Sequence, residues 1–88
     1  MKHEIGDRIG AIQKADEKTV WLYGYGTYQG EQVPPTGIAH ELGWKNPKLL
    51  LDNGTIVWGQ ECWWGAEAAV KAQIQGREIV VAESEESV

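Results

Sequence analysis

Eighty-eight residues make one domain, and a core of that size is marginally stable without reinforcement. The single cysteine, Cys62, excludes an internal disulfide and fits a reducing compartment. Of the −5 formal charge, three acids sit in the tail 83–88; the nearly balanced body lacks the basic stripe that a nucleic-acid binder needs. No stretch reaches the ~18 apolar residues of a membrane span, and Met1–Asp7 holds no apolar run of a secretory signal. The reading is a cytoplasmic domain over 1–82 with an acidic tail over 83–88. Five tryptophans and no phenylalanine give it a dense aromatic core.

In chain order, Asp7–Ala15 reads as a strand with Gly10 inside it, where the chain bends or another backbone comes close. Asp16-Glu17-Lys18 is a polar turn. Thr19–Tyr23 alternates, with Val20 and Leu22 on one face and Trp21 and Tyr23 on the other. Gly24-Tyr25-Gly26-Thr27-Tyr28-Gln29-Gly30 reads as a strand that bends sharply or carries a bulge, devices that curl a small sheet into a barrel. Pro34 and Pro35 then open a long loop over 31–48, in which Ile38–Leu42 allows one helical turn stopped by Gly43, and Asn46-Pro47 marks a turn.

The strongest local signal is Leu49–Trp58, a β-hairpin about Asn53-Gly54. A type I′ turn there pairs Leu51 with Ile56, Leu50 with Val57 and Leu49 with Trp58. Both hairpin faces are apolar, which predicts a central position covered on each side. The strand continues through Gln60–Trp64. Ala66–Gln75 is helical by propensity, with Ala66, Val70 and Ile74 as the buried stripe, Glu67 and Lys71 as an exposed pair, and Gly76 just past the end. Arg77–Ala82 is a last strand. The order predicts a mainly β (α+β) fold: a small bent antiparallel barrel, SH3-like, with one C-terminal helix followed by a short strand.

Several segments resemble small proteins encoded by tailed phages: Gly6–Ile12, Gly24–Gly30 with Val33-Pro34-Pro35, Asn46-Pro47-Lys48, Leu51–Gly54 and, most specifically, Val57-Trp58-Gly59-Gln60-Glu61-Cys62-Trp63-Trp64-Gly65. The resemblance spans most of the chain and implies a phage accessory protein. It brings no activity and no site residues. Proteins of this kind carry a second cysteine where this chain has Gln60, which argues against a shared two-cysteine role here.

Trp21, Tyr23 and Tyr25 share strand parity, so they are expected on one face. The glycine-flanked Tyr23, Tyr25 and Tyr28, with Trp44 and the cations Arg8, Lys45 and Lys48, form the candidate ligand-binding set, since aromatic faces stack planar ligands and cations meet phosphates. His3, His40 and Cys62 are too scattered for a metal site, and no cofactor motif appears. Cys62 in an apolar strand reads as an inert small hydrophobe, although His40 offers a base. Glu61, if buried, would need Arg8 or Arg77 as a partner.

These readings favour a non-enzymatic protein that binds a nucleotide-like small molecule, sequestering a host defence signal, with sites shared across a homo-oligomer interface. The alternative is an adaptor or inhibitor that docks a host or defence protein through the Pro34–Gly43 loop and Trp44. Neither nucleic acid nor membrane is an expected partner.

Overall fold

The computed structural model describes residues 3–83. The tail, from residue 84 onward, lies outside the described residues. Six strands and two helices follow in order: β1 (Arg8–Ala15), β2 (Thr19–Gln32), α1 (Gly37–Leu42), β3 (Asn46–Leu51), β4 (Ile56–Trp58), a single 3-10 turn (Gly59–Glu61), β5 (Trp63–Ala66), α2 (Glu67–Ile74) and β6 (Glu78–Val81). Five strands form an antiparallel sheet in the order β4-β3-β2-β1-β5, and β6 pairs in parallel with β2. The mainly β fold with a C-terminal helix and a following short strand is therefore present.

β1 and β2 are joined by the polar turn read at Asp16. Its carboxylate accepts the backbone N–H groups of Lys18 and Thr19 at 2.8 and 2.7 Å. Those two bonds hold the Asp16 carboxyl below its ordinary range.

The glycine-rich segment is a strand with irregular register, as its glycines suggest. β2 is one 14-residue strand running through it. Its length follows from its partners. β1 covers one edge over Val20–Thr27, while the other edge is shared by β6 at Thr19–Leu22 and β3 at Gly26–Gln32. Gly24 (φ 136°) stands between these two partners and Gly30 (φ 89°) inside the β3 ladder, where the register slips; both take backbone angles that other residues rarely adopt. The long loop is correspondingly shorter than expected: Asn46 and Pro47 already pair with Gln32 and Glu31.

The hairpin forms with a different turn. Gly54 N–H donates to Leu51 O and Leu51 N–H to Thr55 O, both at 2.9 Å, around a three-residue loop. Gly54 has φ 87°, and among the described residues none other than glycine has positive φ. A type I′ turn needs positive φ at Asn53 as well, so the sequence expectation fails by one residue. Leu50 faces Ile56, Leu49 faces Val57 and Lys48 faces Trp58. β4 is also the end of the five-strand order rather than its centre. The strand covered on both faces is β1, where Ile9 through Ile12 are all buried.

Alternation along β1 divides the core. Ile9 and Ala11 join Tyr28, Leu49, Leu51 and Val57 on one side. Ile12 joins Val20, Val70 and Ile74 on the other, beneath α2. Ala66, expected in the helix stripe, ends β5 and is exposed. α2 closes through a type II turn: Gln75 is extended, Gly76 has φ 85°, and Arg77 N–H donates to Ile74 O at 3.2 Å. The strand expected across Gln60–Trp64 is interrupted by the 3-10 turn, which separates β4 from β5.

Candidate functional site

The structure disperses the tyrosines expected to form one platform. Ala11 pairs with Gly24 and Ile12 with Leu22, leaving Tyr23 as an extra residue in the ladder. Such a bulge breaks the alternation of faces. Tyr23 packs on the Ile9–Leu49 cluster, while Tyr25 packs on the Ile12–Val20 cluster beneath α2. Tyr28 is a core residue, 9 % exposed, stacked on Trp64. Its hydroxyl donates to Glu31 Oε2 at 2.9 Å. Burial, and then this bond, push the Tyr28 phenol above its ordinary range. Trp21 lies under Lys14, whose Nζ is 4.6 Å from the ring centroid.

Arg8 is committed to carboxylates. Its two terminal nitrogens donate to both Asp52 oxygens at 2.7 Å, and Nη2 also reaches Glu67 Oε2 at 3.0 Å. This fork pulls the Asp52 and Glu67 carboxyls below their ordinary range and raises the guanidinium further. Glu67 in turn holds Lys71 at 3.8 Å, and Lys71 Nζ lies 5.0 Å from the Tyr25 ring centroid. A cation occupied in this way is a poor phosphate receptor. Glu61 lies exposed in the 3-10 turn.

The remaining predicted residues are neighbours in sequence, and of them only Lys48 lines a groove. Trp44, Lys45 and Lys48 lie where α1 returns to β3. Gly43 (φ 68°) ends α1, with its N–H donating to His40 O at 3.2 Å and Trp44 N–H donating to Ala39 O at 2.8 Å. This pair of bonds is a Schellman cap, and it fixes where Trp44 leaves the helix. His40 Nδ1 lies 3.0 Å from Pro34 O, tying α1 to the proline segment.

Where β2 leads into α1 lies a groove of about 440 Å³ lined by Gln32, Val33, Pro35, Thr36, Lys48, Ile56 and Trp58. Trp58 is only 3 % exposed and builds its floor. α1 buries Ala39 but leaves Ile38 at 66 % and Leu42 at 53 % exposed, and Trp44 at 56 %. Val33 is also exposed. Segment 33–44 thus presents four large apolar side chains to solvent, an unusual density for one short stretch. Of the groove's lining, the sequence points to Lys48 and, within the Pro34–Gly43 loop, to Pro35 and Thr36, but not to Gln32, Val33, Ile56 or Trp58. The prolines were a visible signal, since they cannot join a ladder, whereas Ile56 and Trp58 read simply as hairpin core.

Cys62 packs against the core, and its thiol donates to Trp58 O at 3.7 Å. Burial, and then the nearby Glu61 charge, push the thiol up to about 12. Among the described residues, no group of three or more His, Cys, Asp or Glu is placed to hold a metal ion. No helix among them is long and apolar enough to cross a membrane. Comparison with protein families, curated proteins and solved structures returns no match for this chain.

Proposed function

We propose that this chain is a non-enzymatic protein-binding module whose docking face is the groove beside α1. The observation that carries this reading is a preformed cleft lined by Val33, Pro35, Ile56 and Trp58, followed directly in the chain by the exposed Ile38, Leu42 and Trp44. Exposed apolar surface costs solubility, and rimmed by polar residues it marks an interaction site. Among the described residues lining the groove, Lys48 carries the charge, with Lys45 exposed nearby. The fitting occupant is a protein segment with apolar side chains and a carboxylate placed to meet those lysines. The strand order and the 3-10 turn before β5 support reading the sheet as a small SH3-like barrel, an architecture suited to grooves of this kind. The resemblance of the Val57–Gly65 segment to phage proteins supports a host or defence protein as the partner and the host cytoplasm as the setting. Nucleotide sequestration draws less support, because its tyrosines are dispersed and Arg8 is occupied.

Selection of a random displayed peptide library on the purified protein tests the proposal. Enriched peptides should combine apolar residues with an Asp or Glu, and Trp44→Ala and Lys48→Glu should each weaken their binding while leaving the melting temperature unchanged. A library that yields no binder, or binders indifferent to both changes, overturns it. A thermal shift with cyclic or ADP-ribose-type nucleotides would return the small-molecule reading to first place.

A further inference from the structure

We infer that β6 is a self-pairing edge through which two copies of this chain form an antiparallel, two-fold dimer. β6 has β2 as a neighbour on one side, and among the described residues no strand pairs with the other. The phase of its backbone is fixed: Glu78 N–H donates to Lys18 O and Ala82 N–H to Leu22 O, both at 2.8 Å. Alternation then aims the N–H and C=O groups of Ile79 and Val81 away from β2. The side chains of these same residues are 43 % and 76 % exposed. Natural edges are usually protected by charge, proline or a bulge, yet Ile79-Val80-Val81-Ala82 offers none of these.

The occupant follows from the sequence of the edge itself. Outward-facing residues must meet outward-facing residues, so a two-fold axis passes through residue 79, 80 or 81. An axis at Ile79 sets Arg77 against Val81 and Glu78 against Val80. An axis at Val81 sets Glu83 against Ile79. An axis at Val80 sets Ile79 against Val81 and Arg77 against Glu83, twice over by symmetry. That register alone matches apolar with apolar and cation with anion. One Arg77 N–H already donates to Asp16 O at 3.2 Å, which leaves the rest of the guanidinium for Glu83 of the second copy. The dimer covers Ile79 and Val81 of each copy and presents two copies of the α1 groove.

Sedimentation velocity over a concentration series, with the full chain, tests the assembly. The wild type should move from monomer to dimer as concentration rises. Val81→Lys should remain monomeric with an unchanged circular dichroism spectrum. Arg77→Glu should weaken the dimer, and adding Glu83→Arg should restore it, a rescue that a role of Arg77 in its own chain alone would not give. In a mixture of isotope-labelled and unlabelled protein, an intermolecular contact between the Val80 α-protons of the two copies should appear, because that pair lies on the axis. A wild type that stays monomeric at its solubility limit, a dimer that survives Val81→Lys, or intermolecular contacts in another register would each overturn the inference.

Discussion

Tyr28 and Trp64 stack with ring centroids 5.5 Å apart and planes 11° from parallel. His3 leans on the same pair, 4.8 Å from Trp64. The arrangement places an aromatic pair within the core from residues 36 positions apart, one on β2 and one on β5. It also decides between the two adjacent tryptophans: Trp64 packs inward, while Trp63 is 71 % exposed.

Tyr28 should therefore behave as core. Truncating a large buried aromatic costs about 3–5 kcal/mol, a major part of a small domain's stability. Tyr28→Ala should lower the urea midpoint strongly or abolish folding. Tyr28→Phe keeps the stack and loses only the bond to the Glu31 carboxylate, a change of about 1.5–3 kcal/mol. Equilibrium urea unfolding of both variants checks this. A Tyr28→Ala protein with a wild-type midpoint would restore the residue to the ligand-binding candidates.

What the sequence disclosed, and what it withheld, divides along the range of the interactions. The Asp16 turn, α2 and its Gly76 terminus rest on contacts a few residues apart and were legible; the last strand was legible from its own β-branched run, although its pairing with β2 was not. The hairpin was legible as a hairpin, but its register was not. Asn-Gly serves both a two-residue and a three-residue loop, and the choice depends on how β3 sits on β2. The faces of the tyrosines were lost at one residue, Tyr23, because the glycines signal a bulge but its position is set by pairing with β1. The groove joins residues from β2, the proline segment, β3 and β4, so Lys48 was found as an exposed cation and Pro35 and Thr36 through the loop, while Ile56 and Trp58 passed as hairpin core.

Gly26 shows why the glycines of β2 are there. A side chain at this position would run into the backbone of Leu50 and Leu51, where β3 crosses closely. Backbone cannot yield as a side-chain tip can. Gly26→Ala should therefore unfold the domain or strip β3 and β4 from the sheet. Gly65 has open space where its side chain would be, and its backbone angles suit any residue. Gly65→Ala should leave thermal unfolding close to wild type. Differential scanning fluorimetry of the two variants side by side suffices; equal behaviour would mean that β3 does not approach β2 as described.

Arg8 gives the domain a predictable response to acid. Its hydrogen bonds hold the Asp52 and Glu67 carboxyls below their ordinary range in the folded state. A depressed folded-state value means that the unfolded chain binds protons first, so acid favours unfolding. The contribution is complete above the ordinary carboxylate range of about pH 4, and it is lost as pH falls through the folded-state values. Arg8→Gln should lower stability at neutral pH and flatten its decline on acidification, with the two proteins converging in strong acid. Melting temperatures measured across that range test the sign. Parallel curves for the two proteins would show that Arg8 does not depress these carboxyls.

Cys62 tests the packing around the end of β4. With its thiol raised to about 12, the reactive thiolate at pH 8 amounts to about one part in ten thousand. The thiol also donates to Trp58 O and packs on the Ile9–Leu49 cluster, so a reagent must open that contact to reach it. Labelling by a chromogenic disulfide should accordingly be slow in buffer. It should accelerate with urea in proportion to the unfolded fraction, because in the unfolded chain the thiol regains its ordinary range of about 8.5. Complete labelling within seconds in the absence of denaturant would show an accessible, activated thiol and would reopen the pairing of Cys62 with His40 as a chemical site.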